Sequence, residues 1–215
     1  MQPEPIDVTP PPSGSDPPPP SSPSPPSSRR PRVKTVVLGS LLVAGLAGAA
    51  VVGTAGWRIW QQKDAQLGTP AEVAGLRLDD SERAATTADY LRTAISARID
   101  LDESIGVVYA DPAAADRSVL LFGGTTMLLS PEKDLDSLFD LLADDTGTVT
   151  GVAEVPAGEL DGVMKCGTSA SPEGDISVCG WADHGSVAMA MFPGRPVNDA
   201  ATLLREIRET IQTRD

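Results

Sequence analysis

Twenty-three consecutive residues, Thr35 to Trp57, include no Asp, Glu, Lys, Arg or His. A helix of that length reaches roughly 34 Å, enough to cross a hydrocarbon core of about 30 Å. In hydrocarbon a helix satisfies its own backbone, whereas an irregular chain cannot. The run therefore predicts one transmembrane helix over 35–57, with membrane lipid as its partner. Arg29, Arg30, Arg32 and Lys34 crowd its N-terminal edge, and only Arg58 and Lys63 follow the other edge before the acidic residues begin. Positive charge stays inside, so the expectation is a single-pass protein of the cell membrane, N-terminus cytoplasmic and C-terminal part extracellular. Trp57 and Trp60 stand where aromatic rings anchor at an interface. The rival is a cleaved signal peptide ending near Ala47-Gly48-Ala49. Its n-region would exceed 30 residues and its apolar stretch would be too long, which favours an uncleaved anchor. Either reading exports the rest of the chain. Gly45, Ala49 and Gly53 recur at a spacing that lets two helices approach, a candidate weak homodimer seam. Small residues are common in such spans without any seam.

Composition divides the remainder. Residues 1–34 hold 13 prolines and almost nothing apolar. They read as a disordered, Pro-rich cytoplasmic tail of polyproline II character. Residues 58–215 carry 13 of the 17 basic and 27 of the 30 acidic residues, a net charge of −14. That excludes the basic footprint a nucleic-acid partner needs, and it argues against lying on an anionic membrane. Residues 58–70 read as a stalk, and 71–215 as one extracytoplasmic domain long enough to bury a core.

Within that domain, Glu82–Arg98 is expected to be a helix. Ala84, Ala88, Leu91 and Ile95 share one face, Asp79, Asp80 and Ser81 offer caps, and Asp79 with Glu82 has capping-box spacing. Ile105, Val107 and Tyr109 alternate as a strand, and Arg117–Phe122 forms a second that a Gly123-Gly124 break ends. Ser130-Pro131 opens a helix with Leu135, Leu138, Phe139 and Leu142 as its stripe. Strands follow over Val149–Val155, Val163–Gly167, Ile176–Ala182 and Ser186–Phe192. A last helix buries Ala200, Leu203, Leu204, Ile207 and Ile211, with Arg205 and Arg208 favourable to its dipole. The order predicts an α+β fold: an antiparallel sheet with helices packed on one face.

Ser171-Pro172-Glu173-Gly174 has turn chemistry. Centring the turn between Pro172 and Glu173 sets Cys166 opposite Cys179 and Met164 opposite Trp181. An exported cysteine pair so placed predicts a structural disulfide, closing a loop of about 15 residues at roughly 3 kcal/mol. A redox pair would show Cys-x-x-Cys, and a zinc site would need four ligands where the chain offers two Cys and one His.

Cys166…Cys179-Gly180-Trp181-Ala182-Asp183 resembles the Cys…Cys-x-Trp-Ala-Asp signature of uncharacterised actinobacterial single-pass membrane proteins. Tyr109-x-Asp111, Phe122-Gly123-Gly124 and Arg205-Glu206-Ile207-Arg208 are similar as well, so the likeness covers most of residues 100–212. It implies the same order of Pro-rich tail, span and outer domain, and it brings no activity with it.

Chemistry is sparse. His184 is the single histidine, in Asp183-His184-Gly185. A hydrolase would pair it with Asp183 and a serine such as Ser186. No Gly-x-Ser-x-Gly elbow exists, and turn neighbours rarely orient one another as a triad must. The plain alternative is a polar turn residue, with Gly185 supplying positive φ. Gly123-Gly124-Thr125-Thr126 lacks the Lys and spacing of a phosphate loop and reads as a strand break or bulge. Asp134, Asp136, Asp140, Asp144 and Asp145 lack a calcium-loop pattern and read as a solvated face. No catalytic residue, metal site or cofactor is expected. The expectation is a non-enzymatic, membrane-anchored outer domain that binds, senses or assists an envelope protein partner, with an envelope hydrolase using His184 as the alternative. Signalling through the Pro-rich tail is a third reading and requires that tail to bind something.

Overall fold

Of the three cap candidates Asp79, Asp80 and Ser81, it is Ser81 that caps the first long helix. Its hydroxyl accepts from the Ala84 N–H at 3.3 Å, while Asp79 accepts from the Ser81 N–H at 3.0 Å. The expected capping box is thus replaced by two short-range bonds that satisfy the same need of orphan helix donors. The computed structural model describes Gly53 and residues 56–146, 148–172 and 174–214. The tail 1–34 and most of the run 35–57, including Gly45 and Ala49 of the small-residue seam, lie outside the described residues. Among the described residues no helix is long and apolar enough to cross a membrane.

Residues 56–62 are helical (α1). Then come β1 (Ala65–Leu67), β2 (Glu72–Val73), β3 (Leu76–Leu78), α2 (Glu82–Ser96), β4 (Glu103–Asp111), β5 (Ala114–Thr125) and α3 (Pro131–Thr146). They are followed by β6 (Val149–Val155), β7 (Val163–Ser169), β8 (Ile176–Ala182), β9 (Ser186–Pro193), α4 (Val197–Ile211) and β10 (Gln212–Arg214). Eight strands form one antiparallel sheet in the order β2-β3-β4-β5-β9-β8-β7-β6, and β1 pairs separately with β10. The fold is α+β with an antiparallel sheet.

The helices do not share one face. Strand side chains alternate, and here they alternate between two cores. Leu121, Cys179, Trp181, Ala188, Ala190 and Phe192 pack with Ala200, Leu204, Ile207 and Ile211 of α4. Their neighbours Phe122, Val178, Ala182, Val187 and Met189 pack with Ile95 of α2 and Leu135, Leu138, Phe139 and Leu142 of α3. The sheet is therefore sandwiched, α4 on one side and α2 with α3 on the other. Each fully buried Leu, Ile, Met or Phe contributes about 1.5–3 kcal/mol, and the central strands collect this on both faces. That is why β8 and β9 are buried almost end to end.

The expected break at Gly123-Gly124 is also absent. β5 runs through both glycines to Thr125. A Cβ on Gly123 would collide with Ala188 and the Val187 carbonyl, and one on Gly124 with the Glu103 carbonyl. The two glycines let β4, β5 and β9 approach closely and do not interrupt the strand.

The hairpin register follows the turn chemistry. Gly174 N–H donates to the Ser171 carbonyl at 3.0 Å, Cys166 opposes Cys179, and Met164 opposes Trp181. The Cys166–Cys179 disulfide is present, with Cα atoms 4.1 Å apart. The stretch read as a stalk carries the end of α1 and β1. β1 pairs with β10 through Ala65–Arg214 and Leu67–Gln212, and the buried Tyr109 hydroxyl donates to the Pro70 carbonyl at 3.1 Å.

Candidate functional site

The turn between β8 and β9, residues 183–185, carries the one concentration of buried charge in the described domain. Asp183 is wholly buried at the end of β8. Its Oδ1 accepts from the Gly185 and Ser186 N–H groups, both at 2.8 Å, an Asx-type closure of the turn. Its Oδ2 accepts from Arg208 Nη2 at 2.8 Å, Gln212 Nε2 at 2.6 Å and Arg214 Nη2 at 2.7 Å. The three donors are spaced along the end of α4 and β10, so one carboxylate fastens the C-terminal segment to the sheet.

Arg208 is equally buried. Its Nε donates to Gln212 Oε1 at 2.8 Å and its Nη1 to the Ala157 carbonyl at 3.2 Å, while its guanidinium lies 5.6 Å from the centre of the Trp181 ring. Trp181 Nε1 in turn donates to Ser186 Oγ at 3.2 Å. Burial pushes the Asp183 carboxyl up, but the bonds from Gln212 and Gly185 and the charges of Arg208 and Arg214 outweigh it and hold the group below the usual carboxylate range. Burial draws the Arg208 guanidinium down against the pull of Asp183, from a starting value so high that it stays charged. Arg208 stands in the last turn of α4, as its expected role toward the helix dipole requires. It also faces inward, between Leu204 and Ile211 on the buried side of α4.

His184 sits beside this network without joining it. Its N–H donates to Gln62 Oε1 at 3.0 Å, and its Nδ1 lies 2.7 Å from the Leu128 carbonyl. A carbonyl only accepts, so Nδ1 carries the proton. Both Asp183 oxygens are engaged elsewhere, and the Ser186 hydroxyl accepts from Trp181. The structure thus brings Asp183, His184 and Ser186 together in sequence but not into a relay. His184 does line a cavity of about 240 Å³ with Arg58, Gln62, Glu132, Asp161 and others, and among the described residues no Ser, Thr or Cys lines it. Gly185 has a different role from the expected one. It does not adopt positive φ, and a Cβ there would strike the Gln62 carbonyl. The glycine lets α1 lie directly on the turn.

A second cavity, about 370 Å³, opens beside the network between Trp60, Asp64, Glu159, Asp161 and Arg214. An apolar slot between α2 and α3, walled by Leu91, Ile95, Leu138 and Leu142, encloses about 70 Å³, well below the roughly 300–1,000 Å³ of ordinary ligand sites. In the acidic cluster, Asp136 and Glu132 bind Lys165 Nζ at 2.7 and 3.1 Å, and the Asp136 bond leads in raising the Lys165 pKa. Among the described residues no group of three or more His, Cys, Asp or Glu side chains is arranged to hold a metal ion.

The sequence singles out Asp183 and His184 but not Arg208, Gln212 and Arg214, which surround Asp183. An Arg on the apolar stripe of α4 was the available signal, because a buried charge needs a partner. No family model matches the chain, and neither a curated protein nor a solved structure matches it.

Proposed function

We propose that the chain is a membrane-anchored outer domain that presents a binding surface to an envelope protein partner and performs no catalysis. The observation that supports this reading is the structural engagement of the Asp183 carboxylate, of the His184 backbone N–H and Nδ1, and of the Ser186 hydroxyl as an acceptor at the β8–β9 turn. Asp183 accepts five hydrogen bonds, His184 is tied to Gln62 and Leu128, and Ser186 Oγ accepts from Trp181. A general base needs a nucleophile within reach, and this turn spends its groups on holding α1, α4 and β10 together. Tethering then does the functional work. The span over 35–57 confines the domain to the membrane surface and raises its effective concentration toward partners there.

Proximity labelling from the outer domain in its native cell, with a His184→Ala variant in parallel, tests the reading. Reproducible envelope partners, unchanged by the variant, are the expected result. An absence of partners, with a loss-of-function phenotype reproduced by His184→Ala, would overturn it in favour of a hydrolase.

A further inference from the structure

The sheet has two ends, and they differ in chemistry. Thr125 pairs with Ser186, so the loop 126–130 and the turn 183–185 lie at one end. Asp111 pairs with Ala114, and Ser169 with Ile176, so the Pro112-Ala113 turn and the disulfide hairpin's tip lie at the other. At the first end the Leu128 N–H donates to the His184 carbonyl at 3.2 Å, while Gln62 of α1 holds the His184 N–H. Loop 126–130 and α1 therefore flank the same turn, and Arg58 and Pro131 share the cavity that His184 lines.

Four large apolar side chains stand out from those two segments. Trp57 is 58% exposed, Trp60 63%, Met127 58% and Leu129 76%. The tryptophan rings lie 5.5 Å apart. Leu128, between the exposed pair of the loop, is buried. The loop is thus pinned by one inward leucine and shows its two neighbours to the surroundings.

We infer that this end of the domain is a bilayer-contacting face, on which Met127 and Leu129 enter the membrane interface beside Trp57 and Trp60. The inference rests on the reading of 35–57 as a span. Chain length then decides between lying on the membrane and standing off it. The chain is helical by Gly56, inside the apolar run, and Gln62 is already docked on the turn. Only residues 58–61 separate the run from the docking point. From Trp57 to Gln62 a helix rises five steps, about 7.5 Å, comparable to the headgroup zone on one side of a bilayer, roughly 5–8 Å. The docked end stays within that zone, and tryptophan favours that depth. Charge does not drive the contact, because Asp64, Glu132, Glu159 and Asp161 border the same end along with Arg58 and Arg214. Added salt therefore leaves the contact in place.

The test uses the full chain in phosphatidylcholine–phosphatidylglycerol vesicles, with and without brominated acyl chains, on a Trp57→Phe/Trp60→Phe background. Trp181 is fully buried and supplies a constant emission. Leu129→Trp, Met127→Trp and, at the opposite end, the exposed Ala113→Trp each add one reporter. Carbonate extraction is run on every sample. Bromolipid should quench the reporters at 129 and 127 and spare the one at 113. Retention after carbonate without quenching at 127 or 129 would overturn the inference and leave the span standing. Equal quenching at 113 would overturn it by removing any preferred face. Release by carbonate would overturn the span and the inference together.

Discussion

Replacing Asp183 with Asn changes one charge and almost no volume, and it should cost the domain about 3–5 kcal/mol. The Asn carbonyl can still accept from the Gly185 and Ser186 N–H groups. Its amide would then face Arg208, Gln212 and Arg214, three donors where three bonds were accepted before. Arg208 has no exposure to water, so it is left as a buried cation with its counter-ion gone, a change that typically costs 3–5 kcal/mol. For a domain of this size each kcal/mol is roughly 2–4 °C in Tm, which gives a fall of about 6–20 °C. Urea unfolding of the full chain in detergent, followed by tryptophan emission, measures it. Arg208→Met should lose a comparable amount, and the double variant should lose less than the two combined. The pH dependence has a defined sign. Asp183 is held below its unfolded value, so its contribution is complete above a pH of roughly 4, the unfolded carboxylate value, and fades as pH falls through the lower folded value. The gap between wild type and Asp183→Asn should therefore be flat from pH 7 to 5 and close only in stronger acid. A loss under 1 kcal/mol, or a gap that closes near neutrality, would refute the reasoning.

Other substitutions test other joints. Cys166→Ala/Cys179→Ala removes a cross-link over about 15 residues and should cost roughly 3 kcal/mol in the same urea assay. Gly123→Ala drives a methyl into Ala188 and the Val187 carbonyl, and a loss of about 1–3 kcal/mol is expected. Gly185→Ala should lift α1 from the turn. Limited proteolysis should then cut within residues 58–68 at enzyme levels that spare the wild type, while the disulfide hairpin stays protected.

Local chemistry made much of this fold legible. Turn residues 171–174 set the hairpin register, and with it the cysteine pair, because register in a tight hairpin follows from its turn. The stripe of α3 was read correctly, since helix periodicity depends only on neighbours. What escaped the reading depends on partners distant in sequence. β1 and β10 are three residues each and join positions 65–67 to 212–214, a pairing that no local pattern encodes. The double-sided burial is partly visible in the sequence. Val178-Cys179-Gly180-Trp181-Ala182 and Val187-Ala188-Met189-Ala190-Met191 lack the polar alternation of a half-solvated sheet. At the candidate site the buried cation is Arg208. Its place one residue after Ile207 and four after Leu204 put it on the buried stripe, where an Arg implies a carboxylate. Asp183 is that carboxylate, and only the fold could pair them.

The most direct check on a tethered outer domain is protease accessibility in intact cells that express the chain with an epitope at each end. The C-terminal epitope should vanish when protease is added outside, and the N-terminal epitope should survive on a short membrane-bound fragment. Loss of the N-terminal epitope with survival of the C-terminal one, or protection of both until the cells are lysed, would contradict the account.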